Sequence, residues 1–103
     1  MIFRRRFADV IARQLDVFAE DEAELIADCR EAERKYDKAP RDEAEEMYGD
    51  YVDVVETATE ALADVRDRFK QTLDDDAGEE YEEAFNRAVK KRWPPFGLEI
   101  ENR

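Results

Sequence analysis

From Ala44 to Leu73, apolar or small residues recur at Ala44, Tyr48, Tyr51, Val55, Ala58, Leu62, Val65 and Phe69, in steps of four and three. That spacing keeps one face of an α-helix continuously apolar and lets it pack lengthwise against other helices. Met47, Val54 and Ala61 flank the seam and widen it into the stripe of a core-facing bundle helix. Few other patterns constrain a chain so strongly, because a strand would need alternation by two.

The preceding segment repeats the pattern. Phe7, Ile11, Leu15, Phe18, Glu22, Leu25 with Ile26, Cys29, Ala32 and Tyr36 fall on one helical face, and no Gly or Pro interrupts them. A helix over about 4–37 is expected. Pro40 then removes a backbone donor and turns Ala39 away from helix. Asp42, with Glu45 three residues on, suits a capping box opening the next helix. A connection this short makes the two helices antiparallel neighbours. With the turn near residue 40, Cys29 is placed near Tyr51, Tyr36 near Ala44, Glu22 near Ala58 and Leu15 near Val65.

The second helix is expected over about 42–75. Gly49 lies inside it, marking a bend, a close approach by another chain, or a plain solvent-facing position. A third, shorter helix over about 79–92 buries Tyr81, Phe85 and Val89 and closes on Lys90, Lys91 and Arg92, the favourable sign for a helix C-terminus. Pro94 and Pro95 stop it. The tail, 93–103, reads as extended and apolar, with Trp93, Phe96, Leu98 and Ile100. The fold class is therefore all-α: a long antiparallel hairpin, a shorter third helix and an apolar tail, in a single helical domain over 1–103. Self-association is expected to complete the bundle. The third helix covers only the end of the hairpin that holds Phe7 and Phe69. The other end, with Tyr36, Met47, Tyr48 and Tyr51, needs a cover, from the tail in cis or from a second copy.

The residue types limit the chemistry. There is no His and no Ser, which removes the usual general base, the Glu-x-x-His pairs of di-iron bundles and the familiar nucleophilic triads. The single Cys29 excludes an internal disulfide and sits on an apolar stripe, as a buried thiol does. No cofactor is implied, and the chain reads as a non-enzyme. Glu22, on an apolar stripe opposite small residues, with Glu56 and Glu60 flanking that level, forms an alternative: a carboxylate site for a divalent cation or a small cationic ligand.

Charge is unevenly distributed. The net charge is −12, and residues 20–63 hold sixteen acidic and five basic side chains. A phosphate backbone calls for a basic face, so nucleic acid is not the expected partner. Arg4, Arg5, Arg6, Arg13, Arg66, Arg68 and Lys70 make the opposite end relatively basic. No apolar run is long enough to span a bilayer, and the basic start lacks the apolar region of a secretory signal, so the cytoplasm is expected. The functional expectation is a helical interaction or scaffold module that forms a homodimer or higher homo-oligomer through the hairpin groove. Its expected interface is Tyr36, Met47, Tyr48, Tyr51, Trp93, Phe96, Leu98 and Ile100, and the tail is a possible contact for another protein.

Overall fold

A computed structural model describes residues 6–103. The expected helix start near Arg4, and the expected contribution of Arg4 and Arg5 to a basic end, lie outside the described residues. The fold is all-α, with five helices among the described residues: α1 (Ala8–Asp21), α2 (Ala23–Lys38), α3 (Ala44–Lys70), α4 (Asp75–Arg92) and α5 (Gly97–Glu101). A single 3₁₀ turn, Pro94–Phe96, joins the last two, and no strand occurs among the described residues.

Helices α2 and α3 form the expected antiparallel hairpin. Their register lies about one helical turn beyond the expected one. Cys29 meets Val54 and Tyr36 meets Tyr48, because residues 39–43 are spent on the connection before α3 begins. Helix α3 runs unbroken through Gly49, where an added Cβ would meet nothing within 4 Å. The plain solvent-facing reading of Gly49 therefore holds within the chain. Gly49→Ala is expected to stabilise the fold by about 1 kcal/mol, read as a rise in the urea midpoint, because alanine loses less backbone entropy in a helix.

The first expected helix is two helices. It breaks at Glu22, whose backbone (φ −112°, ψ 31°) leaves the helical region although no Gly or Pro is near. The cause is packing. Helix α1 follows α4: the Tyr81 hydroxyl donates to Gln14, Asp16 accepts from Arg92, and Phe18 meets Trp93 edge-on. Helix α2 follows α3 instead. One straight rod cannot do both, and the carboxylates of Glu20, Asp21, Glu22 and Glu24 repel one another across the joint.

The third expected helix begins earlier than 79, and the second ends earlier than 75. Three aspartates oppose the macrodipole of a helix C-terminus and favour an N-terminus. Accordingly, α3 stops at Lys70, Asp74 caps α4 by accepting from the Ala77 amide at 2.9 Å, and Asp75 and Asp76 occupy its first turn.

The tail is folded rather than extended. Pro94 and Pro95 set the 3₁₀ turn, after which α5 doubles back along α4 towards the base of the bundle. Trp93, Phe96 and Ile100 are buried. Gly97 permits this return, since a Cβ there would sit 2.7 Å from Cγ of Lys90. The core is built from Ile11, Leu15 and Phe18 of α1, Val55, Ala58 and Leu62 of α3, Tyr81, Phe85 and Val89 of α4, and those tail residues.

One buried charge ties the layers together. Arg66 is 1% exposed. Its Nη1 donates to the Ile100 carbonyl and to Asn86 Oδ1, both at 3.0 Å, and its Nε donates to Asp67 at 2.8 Å. Glu82, which accepts from Lys70, lies 3.8 Å away. One guanidinium thus joins α3, α4 and α5.

Candidate interaction site

The molecule measures 50 × 25 × 24 Å, and its long dimension follows from unequal cover. Helix α3 has 27 residues, about 40 Å at 1.5 Å per residue. Helix α4 meets it from Phe69 and Lys70 through Arg66. The tail reaches its furthest point at Phe96, level with Cys29 and Tyr51, and then turns back. Beyond that level, α2 and α3 continue alone as a two-helix arm.

On this arm the rings of Tyr36 and Tyr48 lie 5.2 Å apart, and Tyr36 stacks nearly parallel to Tyr51 at 6.4 Å. Tyr48 is 51% exposed and Tyr36 is 37% exposed, while Tyr51 and Met47 are half-buried. The structure therefore brings three of the eight expected interface residues, Tyr36, Tyr48 and Tyr51, together at the open end, while Met47 lies at that end beside Glu31 and Lys35 instead. It removes three others: Trp93, Phe96 and Ile100 complete the core in cis, because their side chains face α1, α2 and α3 once the tail doubles back. Leu98 is 72% exposed, but on the outer side of α5.

Where the tail turns, a notch of about 170 Å³ opens beside Tyr51, lined by Ile26, Cys29, Trp93, Pro95 and Phe96, with Arg30, Glu33 and Arg92 at its rim. It joins the buried base to the tyrosine face and has room for one side chain. Cys29 donates its thiol to the Val54 carbonyl at 3.5 Å. Burial first, and the nearby Asp28 carboxylate second, push this thiol up from 9.0 to about 11. It is protonated at neutral pH and a weak nucleophile. Alkylation of the folded protein near pH 8 should run at least about 100-fold slower than in denaturant, because two pKa units remove that much thiolate. Labelling rates followed by mass would check this. Burial also raises Tyr81 to about 12. Both groups hold their protons more tightly folded than unfolded. Their contribution is complete below about pH 9 and is lost as the pH rises towards 12.

The carboxylate alternative is not assembled. Glu22 is half-buried at the joint between α1 and α2. Glu56 is exposed, and exposed Glu60 lies 4.0 Å from Arg103. Among the described residues no group of three or more His, Cys, Asp or Glu side chains is placed to hold a metal ion. The kink at Glu22 is the reason: the straight register that put Glu22 opposite Ala58 does not exist.

Sequence reasoning missed the core role of Arg66 and the notch-forming prolines. Arg66 carried a readable signal. It falls four residues after Leu62 and seven after Thr59, both fully buried, so it is a charge on an apolar register. The notch carried none, because it depends on where the tail turns. No helix among the described residues is long and apolar enough to cross a membrane. No protein-family model, curated protein or solved structure matches this chain.

Proposed function

We propose that the protein is a non-enzymatic helical interaction module that self-associates, with the tyrosine-bearing arm of α2 and α3 as its contact surface. The observation that carries this reading is the cluster of Tyr36, Tyr48 and Tyr51, which starts where the tail turns back at Tyr51 and runs out along the hairpin through the exposed Tyr36 and Tyr48. Tyrosines suit such a surface, since they bring large contact area with little rotamer entropy to lose. Two such arms laid side by side form a four-helix arrangement and cover one another's apolar faces.

The arm carries Asp37, Asp42, Glu43, Glu45, Glu46 and Asp50 against Arg34, Lys35, Lys38 and Arg41, and the whole chain has a net charge of −12, so two copies meeting at their arms repel at low salt. Association through them therefore strengthens as salt screens the charges. Light scattering on the full chain at about 100 µM is expected to give a mean mass above the monomer, rising between about 50 mM and 500 mM salt. Tyr36→Glu with Tyr48→Glu should lower that mass without changing the melting temperature by more than a few degrees, since both rings are exposed. A monomer under all these conditions, or a mass indifferent to the double substitution, overturns the reading.

A further inference from the structure

A second surface shows a different order. Helix α1 packs on α4 and leaves an open groove of about 470 Å³ between itself and α3. Its apolar surface comes from Val10, Val17 and Phe18 on one side and Ala61 and Val65 on the other. Val17 is 48% exposed at mid-length, an unusual place for a large aliphatic side chain. Ala61 keeps the opposite wall low, so another helix can approach closely.

The charges on the groove are sorted by end. Helices α1 and α3 run antiparallel, because α1 runs parallel to α4 and α4 antiparallel to α3. Arg13 and Arg68 therefore share one end, near the level of Tyr81. Asp21 and Glu22 stand at the other end, about 12 Å away at 1.5 Å per residue. Asp64 lies between them. None of these five makes an ion pair among the described residues.

We infer that this groove is the seat of a second copy of the chain, related by a two-fold axis that crosses the groove at the level of Val17. Such an axis reverses the ends. Arg13 of each copy then faces Asp21 and Glu22 of the other, and the two Val17 side chains meet at the centre. The surface is self-complementary in charge and apolar in its middle, which is what an isologous interface requires. A two-fold axis along the groove would instead set the basic end of one copy, Arg13 and Arg68, against the basic end of the other. This contact does not depend on the tyrosine arm, and it leaves both arms free to make their own contacts. Its salt response is opposite: attraction between unlike charges weakens as salt rises, whereas contact between acidic arms strengthens.

The test uses the full chain carrying Tyr36→Glu and Tyr48→Glu, which disables the arm. Light scattering at about 100 µM and about 50 mM salt should still find a dimer, weakening at about 500 mM. Adding Arg13→Glu should raise the dissociation constant at least about tenfold, since each lost pair occurs twice and becomes a repulsion. Adding Asp21→Arg to that chain should restore the dimer by exchanging the two ends. Val17→Glu should also give a monomer. All three positions are exposed, so an unchanged melting temperature shows that the fold is intact. A monomer already in the arm-disabled chain, a dimer indifferent to Arg13→Glu, or no rescue by Asp21→Arg overturns the inference. The arm reading fails separately, if disabling the arm leaves the mass of the parent chain unchanged.

Discussion

A chain ending at Arg92 will have no cooperative thermal transition at neutral pH, although it retains most of its helical sequence. The eleven residues removed carry Trp93, Phe96 and Ile100, all buried. Each contributes roughly 1.5–3 kcal/mol by leaving water, and together they match the total stability of an ordinary domain, about 5–15 kcal/mol. Their loss also opens the core. Trp93 packs edge-on against Phe18, so α1 loses a main apolar contact, and the Ile100 carbonyl is no longer there to accept from Arg66. Circular dichroism through a thermal ramp distinguishes the outcomes. A shallow, non-cooperative loss of signal is expected; a sharp transition within about 5 °C of the full chain, equivalent to roughly 1 kcal/mol, would sink the idea that the tail is core.

Arg66→Ala should destabilise the protein by about 3 kcal/mol, lowering the melting temperature by about 15 °C. Three effects add. The aliphatic stem of a fully enclosed side chain leaves a void. The Ile100 carbonyl and the Asn86 side chain lose their charged donor. Asp67 and Glu82 lose the positive partner between them, though both carboxylates still reach water and this part is small. Arg66→Lys should recover less than half of the loss, because an ammonium cannot reproduce the planar fork that serves α4, α5 and its own helix at once. The effects of Arg66→Ala and of Ile100→Ala should be far from additive, since the guanidinium and the Ile100 side chain hold the same short helix in place. Urea unfolding of the single and combined variants measures that coupling. An Arg66→Ala protein within about 0.5 kcal/mol of the parent would place the residue among ordinary surface charges.

Much of this architecture was legible from side-chain order alone. The 3–4 spacing of Tyr48, Tyr51, Val55, Ala58 and Leu62 names a helical face whatever it packs against, and Pro40 in a short polar segment forces a reversal. Two helices of that kind joined by that turn have one economical arrangement. The helix break at Glu22 was not legible, because nothing local demands it. The residues around it are competent helix formers, and the kink arises from α1 and α2 serving different partners. The tail misled for a related reason. Pro94 and Pro95 read as the start of an extended segment, yet φ near −65° is equally at home in a 3₁₀ turn. The choice between the two was made by Trp93, Phe96 and Ile100 finding the core.

The same division holds for the candidate surfaces. That Tyr36, Met47, Tyr48 and Tyr51 lie at an end of the hairpin beyond the third helix was recognisable because helix lengths can be compared from sequence. Trp93, Phe96 and Ile100 looked equally available, since apolarity says that a side chain leaves water and not where it goes. The carboxylates of Glu22, Glu56 and Glu60 seemed convergent only along a straight rod. Periodicity, turn chemistry and cap preference are properties of neighbours along the chain, and they determined an all-α hairpin with one end left bare. The turning point of the tail, the kink at Glu22 and the enclosure of Arg66 were decided by tertiary contacts. They bring together residues as far apart as Arg66 and Ile100, and only the closed packing of the core selects among partners at that separation.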